Sequence, residues 1–345
     1  MSTLRKQQMM DFLHSHLAAG FRVESLAADA SFRCYHRIHL PIIGEQGKHE
    51  MSYLLMDAPP DKEDIGQFIH VAELMSEAVN VPNIIAKDEK QGFLLLQDFG
   101  TVQFADAIAS DVDNKDRYYT LALSTLADLQ KIDTDIDLPA YSDDKLREEM
   151  ELFCQWFLPY LGVTLDLPAQ QLWQTLTEKL IKDISSQPAV VVHRDYHSRN
   201  LMMDKGSDGL GVIDFQDALI GAYTYDLVSL VRDAYIDYDE QWVEKRIQEF
   251  YQLIRPAVDL GSFIGQTNIM GVQRHLKVLG IFIRLSQRDG KHRYLHDIPK
   301  VMRDLLTELN WLNAHSNEAV YGEFLTWINN QVLPAYQHKF INKSK

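Results

Sequence analysis

The chain has 345 residues, 46% of them hydrophobic, enough for one large core or two smaller ones, and two lobes are the expectation. Lys and Arg number 34 against 49 Asp and Glu, a net charge of −15, so nucleic acid and other partners held by neutralising a phosphate backbone are not expected. Cys34 and Cys154 form no C-x-x-C pair and no run of about 18 apolar residues occurs, which points to a reduced, cytoplasmic protein without a disulfide framework or membrane span.

Taken in chain order, Met9 to Leu17 predicts a short amphipathic helix, and SFRCYHRIHLPIIG followed by MSYLLMDAPP has the Tyr, Ile and Phe content of turn-bounded strands. In IGQFIHVAELMSEAVN, apolar residues at 65, 68, 69, 71, 72, 74, 75 and 79 make a helical stripe that stops before Pro82. NIIAKD and GFLLLQDF read as two more strands across a Gln91-Gly92 turn. Beyond Gly100 the pattern becomes helical, in YYTLALSTLADLQKI, DDKLREEMELFCQWFLPYLG and QLWQTLTEKLIKDI. Two strand-like runs, AVVVH (189–193) and GLGVIDF (209–215), interrupt it as a short hairpin-like insert. The expected fold is α+β, a sheet-rich N-lobe over 1–98 and a mainly helical C-lobe over 99–345, with the junction near Asp98 to Gly100.

The run VVVHRDYHSRNLMM (190–203) carries the chemistry. His193 and His197 could ligate zinc from one helix face, but they begin at the end of a β-type run and no third ligand follows at suitable spacing. The alternative is H-x-D-x-x-x-x-N, with a further Asp in the strand end GVIDF. There Asp195 orients and deprotonates a hydroxyl, while Asn200 and Asp214, both hard oxygen donors, hold magnesium against transferring phosphates. The bland alternative makes the three residues turn caps and a strand end. Their joint spacing favours the kinase-type arrangement.

With these residues in place, the chain resembles the aminoglycoside phosphotransferase and choline kinase-like enzymes, two-lobed relatives of protein kinases. Within them, ADASFRCYHRI, LLMDAPPDKED, GFLLLQDFG, HRDYHSRNLM, IDFQDALIGAYTYDLVSLVRDAY and QRHLKVLGIFIRLSQRDGKHRYL look like the bacterial anomeric kinases of N-acetylmuramate and N-acetylglucosamine, enzymes of cell-wall recycling. The resemblance implies ATP and Mg2+ as cofactors, Asp195 as base and Asn200 and Asp214 as metal ligands. It implies nucleotide contacts from Ser31, Phe32 and Arg33 in the phosphate-covering loop and from Gln97 to Phe99 at the hinge. It also implies loop support from His193 and Asp226. Arg199, Arg274 and Trp156 are the acceptor-binding expectations.

Two departures stand out. No glycine lies between Ala27 and Arg37, where a phosphate-covering loop uses glycines for close backbone approach, and Met56 or Asp57 stands where a phosphate-binding lysine is expected. Arg33 is the favoured replacement cation, Lys62 the second choice. From Arg274 to Arg293 six Lys or Arg (274, 277, 284, 288, 291, 293) face one acid, Asp289, and most fall on one helix arc. Either the stripe receives an acceptor carboxylate, Arg274 above all, or it salt-bridges to acids of neighbouring helices. Trp156 either stacks on a sugar or packs in the core. The rival functions are an aminoglycoside or other small-alcohol kinase, whose cationic acceptor mismatches the stripe, and a nucleotide-binding pseudokinase, which the departures favour and the intact Asp195, Asn200 and Asp214 oppose. The sequence fixes no oligomeric state, and a monomer is the default.

Overall fold

In a computed structural model that describes residues 2–26, 33–44, 47–207 and 209–342, the chain forms two compact units. One is Met1–Val112 with Arg199–Asp217, the other Asp113–Ser198 with Ala218–Lys345.

In the first unit, helix α1 (Thr3–His16) starts on Ser2, whose hydroxyl accepts the Arg5 N–H. Among the described residues, β1 (Arg22–Ser25), β2 (Cys34–Gly44), β3 (Gly47–Asp57), β4 (Ile84–Asp88) and β5 (Phe93–Gln97) form an antiparallel sheet in the order β1-β2-β3-β5-β4. Interior strand β5 reads FLLLQ because both its faces are covered. Phe93 and Leu95 pack with Phe12 and Leu13 of α1, and Leu94 and Leu96 are buried as well. Each such side chain contributes roughly 1.5–3 kcal/mol on burial. Helix α2 (Ile65–Met75), capped by Asp64, buries the predicted stripe through Ile65, Phe68, Ile69, Val71, Ala72 and Met75.

Helix α3 (Phe104–Ser110) closes the first stretch of this unit, and the unit runs past the junction expected at 98–100, as far as Val112. It also takes back residues 199–217. The cause is a set of backbone bonds: Lys205 N–H to Phe99 C=O (3.0 Å), Met203 N–H to Val102 C=O (2.9 Å) and Val212 N–H to Asn80 C=O (2.9 Å). The Phe99 ring lies on Gly211, where a Cβ would overlap it, and Phe68 and Phe215 meet at 4.8 Å.

The second unit holds α4 (Lys115–Leu129), α5 (Asp143–Leu152), a π-turn at Phe153–Phe157 leading into α6 (Leu158–Leu161), and α7 (Leu167–Ser185). After a strand pair come α8 (Tyr225–Val231), α9 (Glu240–Ile254), α10 (Leu260–Gln287), α11 (Ile298–His315) and α12 (Ala319–Trp327). Ser142, Asp166, Asp239 and Asp259 cap α5, α7, α9 and α10 through side-chain oxygens. Helix α10 is the spine, buried at every residue from Met270 to Gly280, and Gly280 leaves no room for a Cβ against the Leu152 backbone. Among the described residues no helix is long and apolar enough to cross a membrane.

The strand-like runs AVVVH and GLGVIDF do not make one insert. β6 (Ala189–Val192) pairs with β9 (Leu219–Ala222) in the second unit, while β8 (Leu210–Val212) pairs with β7 (Leu201–Met203) in the first. β7 and β9 are the segments LMM and LIGA, too short to show a period of their own. The basic stripe is also shorter than its sequence pattern. Helix α10 ends at Gln287, so it carries only Arg274, Lys277 and Arg284; Arg288 caps it and pairs with Asp289, and Gly290 (φ 68°) turns the chain before Lys291 and Arg293.

Candidate active site

Past β6 the segment from His193 to Ser198 is neither strand nor helix, so its N–H groups need other acceptors. Asp226, fully buried in the first turn of α8, supplies two: Oδ2 accepts the His193 N–H (2.7 Å) and Oδ1 the Arg194 N–H (3.0 Å). The Asp195 N–H goes to His193 Nδ1 (3.2 Å), and the His197 N–H to the Asp195 C=O (3.0 Å). Asp233 Oδ2 accepts the N–H of Ser198 (2.9 Å). Tyr196, wholly buried, anchors the loop from below through its hydroxyl on the Ala122 carbonyl (2.9 Å). Arg194 has φ 76°, a strained left-handed conformation for a residue with a Cβ, retained where several bonds determine the backbone. Asp226 thus bonds the loop backbone at His193 and Arg194, and His193 turns its ring to the backbone N–H of Asp195.

Around half-buried Asp195 the charges nearly balance. Glu149 of α5 pairs with Arg194 (2.8 Å) and Lys277 (3.0 Å) and accepts the Tyr141 hydroxyl. Lys277 and Arg274 both donate to the Tyr225 hydroxyl, at 2.9 and 3.2 Å. Lys277 thus follows the salt-bridging alternative, whereas Arg274 has no carboxylate within ion-pair distance among the described residues. Burial pushes the Asp195 carboxyl up, but His197, Lys277, Arg274 and His193 outweigh it and hold the group ionised below its ordinary range. Burial wins at Asp226, raised to about 6 against the pull of His193, the two N–H bonds and Arg274. Asp195 on the loop and Asp226 on α8 beneath it are thus two carboxylates pushed in opposite directions by their surroundings.

In the first unit, Asn200 Nδ2 lies 3.4 Å from Asp214 Oδ2, and the Ile213 N–H donates to the Asn200 C=O (3.0 Å). Asp214 is exposed at φ 66°, with Oδ1 accepting from Gln216 (3.0 Å). The amide nitrogen is the Asn200 atom that faces Asp214 here; the Asp214 carboxylate and the Asn200 side-chain oxygen are hard donors of the kind Mg2+ takes, and Mg2+ keeps waters and shares its remaining positions with phosphates. Among the described residues no group of three or more His, Cys, Asp and Glu could hold a metal ion.

The lysine position on β3 is filled by wholly buried Met56 and by Asp57, which pairs with Arg5 of α1 at 2.5 Å. Arg33, one residue ahead of β2, instead forms an ion pair with Glu63, one residue ahead of the α2 cap (3.2 Å). Burial pushes the Tyr35 hydroxyl up; Arg33 opposes this, while Asp214 and Glu63 add to it. These effects place Arg33, Glu63, Tyr35 and Asp214 in one neighbourhood of this unit.

Ser31 and Phe32 lie outside the described residues. At the hinge the Gln97 N–H is bonded to the Asn83 C=O (2.9 Å) and the Phe99 C=O accepts from Lys205 (3.0 Å), so both groups are engaged internally. Asp98 between them is buried, joined to Arg37 (2.8 Å) and Ser52 (2.5 Å) and held below its ordinary pKa, since those bonds outweigh its desolvation. Arg199 is exposed in the first unit, its C=O accepting from Gln103 (3.2 Å), while Trp156 is half-buried against the core of the second unit, the packing alternative for a helical aromatic. Glu149, Glu63 and Asp233 were not singled out from the sequence. Glu63 alone left a local signal, an acid beside the α2 cap.

A chain of two such units, with H-x-D-x-x-x-x-N leading out of a strand and an Asp at the following strand end, is built as a phosphotransferase. The model of the phosphotransferase enzyme family matches residues 22–259, and the chain belongs to this family. It is similar to the N-acetylmuramate/N-acetylglucosamine kinase of Pseudomonas putida, 38% identical over 315 residues that cover 86% of this chain and 89% of that one. The protein of the same name from Pseudomonas aeruginosa is 40% identical over 290 residues, covering 81% and 82%. Among solved structures, an ethanolamine kinase of Plasmodium vivax (TM-score 0.60, 12% identity, 88% of this chain and 86% of that chain) and an ADP-bound aminoglycoside phosphotransferase (TM-score 0.55, 12%, 86% and 97%) share the fold.

Proposed function

We propose that this enzyme phosphorylates a small amino sugar, N-acetylmuramate or N-acetylglucosamine, on its anomeric C1 hydroxyl at the expense of ATP, in the cytoplasm and in the salvage of cell-wall sugars. The observation that carries the reading is Asp195, an ionised carboxylate on a loop whose backbone is fixed at both ends, with Arg274 among the charges acting on it and no carboxylate within ion-pair distance of Arg274 among the described residues. Relatives bearing the name of this activity at 38–40% identity supply the acceptor. Asp195 accepts the proton of the C1 hydroxyl as its oxygen bonds to the γ-phosphorus; the bond from that phosphorus to the β-bridging oxygen breaks and ADP leaves. Asn200 and Asp214 hold Mg2+, which supplies neutralisation of phosphate charge. Arg33, kept in place by Glu63, takes the part of the missing lysine. Arg274 receives the lactyl carboxylate of the muramate.

The test is ATP consumption with a panel of amino sugars, choline and aminoglycosides, with the phosphate located in the product by NMR. The expected product carries it on C1, and Asp195→Asn lowers turnover at least about a hundredfold while nucleotide binding persists. No turnover of either sugar by the wild type refutes the acceptor assignment; full turnover by Asp195→Asn removes Asp195 from the chemistry.

A further inference from the structure

Two carboxylates, one at each end of α8, hold the loop that carries Asp195. Asp226 takes the entering end at His193 and Arg194, and Asp233, just beyond α8, takes the leaving end at Ser198. Asp233 is 2% exposed, and among the described residues no Lys or Arg lies within ion-pair distance of it. A buried carboxylate needs hydrogen-bond partners, and here Asp233 accepts from the N–H groups of Ser198 and Tyr235, each at 2.9 Å. The Tyr235 bond is a local turn of a common kind. The Ser198 bond joins distant parts of the chain, and a turn does not account for it. Among the described residues, Tyr119 and Tyr238 are titratable groups whose hydroxyl pKa Asp233 raises.

The second bond has a further consequence. Tyr235, fixed at its N–H, sets its ring edge-on to His197 with centroids 5.4 Å apart and also meets Phe282 of α10 at 6.3 Å. His197 is two residues from Asp195 and is the first of the charges acting on it, ahead of Lys277, Arg274 and His193.

We propose that Asp233 is a positioning residue: it pins the outgoing end of the loop through Ser198 and, through Tyr235, holds the His197 ring beside Asp195. The inference rests on the reading of Asp195 as base. Asn at 233 offers one acceptor oxygen and turns an NH2 toward an N–H, so the pinning is lost on one side with little change of volume.

The test uses the full chain with histidine labelled in its ring, the His197 resonances being assigned by their loss in His197→Gln. In Asp233→Asn the His197 ring resonances move, because the ring-current field of Tyr235 is displaced, and kcat falls roughly tenfold to a hundredfold while the KM for ATP stays within about twofold. His197 resonances that stay in place, or an unchanged kcat, overturn the proposal. Tyr235→Leu keeps the backbone N–H for Asp233 but removes the ring, and it carries the test if Asp233→Asn does not fold. An unchanged kcat in Tyr235→Leu overturns the link to His197. Asp195→Asn runs alongside: if it is fully active the base assignment falls, whereas an inactive Asp195→Asn beside an unaltered Asp233→Asn defeats the Asp233 proposal alone.

Discussion

Replacing Arg274 by Met separates recognition of a carboxylate from every other job the residue has. The residue is 7% exposed, and its guanidinium donates from Nη1 to the Tyr225 hydroxyl at 3.2 Å and stands over the Tyr225 ring at 5.4 Å. Met keeps much of the stem volume. The lost cation also lets the Asp195 carboxyl rise, since Arg274 is one of the charges holding it down after His197 and Lys277. Both the packing loss and the change at the base act on any acceptor alike. Only the lactyl carboxylate distinguishes N-acetylmuramate from N-acetylglucosamine, and a charge-assisted contact to it is worth about 1.5 to 3 kcal/mol, or roughly tenfold to a hundredfold. The assay is kcat/KM for both sugars with wild type and Arg274→Met under saturating ATP. The ratio of the two sugars falls by that factor if Arg274 receives the carboxylate. A ratio unchanged within about twofold refutes it and assigns Arg274 to the neutralisation of the Asp195 surroundings.

Glu149→Gln leaves Arg194 and Lys277 buried without their shared counter-charge; breaking such a pair costs about 3–5 kcal/mol, a fall in Tm of roughly 6 to 20 °C for a unit of this size, and a change under about 3 °C refutes the accounting. Arg33→Met raises the KM for ATP about tenfold with little effect on the sugar, and Glu63→Gln gives a smaller change in the same direction; a rise confined to the sugar refutes the phosphate role. Asp214→Ala abolishes the magnesium dependence of ATP binding in calorimetry, and its survival refutes the metal assignment.

What could be read from the sequence was local in the chain. H-x-D-x-x-x-x-N and the following Asp lie within about two dozen residues, and the α2 stripe and the β5 apolar run carry their own periods. What could not be read depends on contacts between distant segments. Glu149 meets Lys277 only because α5 lies along α10, and nothing in DDKLREEM marks this acid among its neighbours as the buried one. The basic stripe shows the same limit: a helical arc counts charges along one helix and does not see that an acid on another has already taken Lys277. The short strands β7 and β9 are strands because β8 and β6 pair with them. Phe99 and Gly211 show why the first unit reclaims 199–217, since the glycine makes room for a ring far away in the sequence. Asp226 was legible by resemblance, and Asp233, of the same residue type at the other end of the same short helix, was not.

The raised pKa of Asp226 makes opposite predictions for stability and for activity, and this pair of signs is hard to obtain by accident. Its folded value is about 6 against an ordinary 3.8, so the native state binds this proton more tightly than the unfolded chain. The stability it contributes is fully present below about pH 4 and is lost as the pH rises through about 6, a loss of about 3 kcal/mol for a shift of this size. Asp195, Asp98 and Glu149, all held low, act in the other direction: their contributions are present above their unfolded values and lost as the pH falls. The measured curve for the wild type therefore mixes both. The difference between wild type and Asp226→Asn cancels the others, because Asn stays neutral at every pH. Relative to the variant, the wild type should lose stability in denaturant titrations between about pH 4 and 6.5. Activity runs the other way: the ionised carboxylate gives the His193 and Arg194 N–H groups charge-assisted bonds, so kcat/KM should show an acid limb near pH 6 that Asp226→Asn lacks while being slower throughout. A stability gap that does not change with pH, or an acid limb that stays where it is in the variant, refutes the assignment of this titration to Asp226.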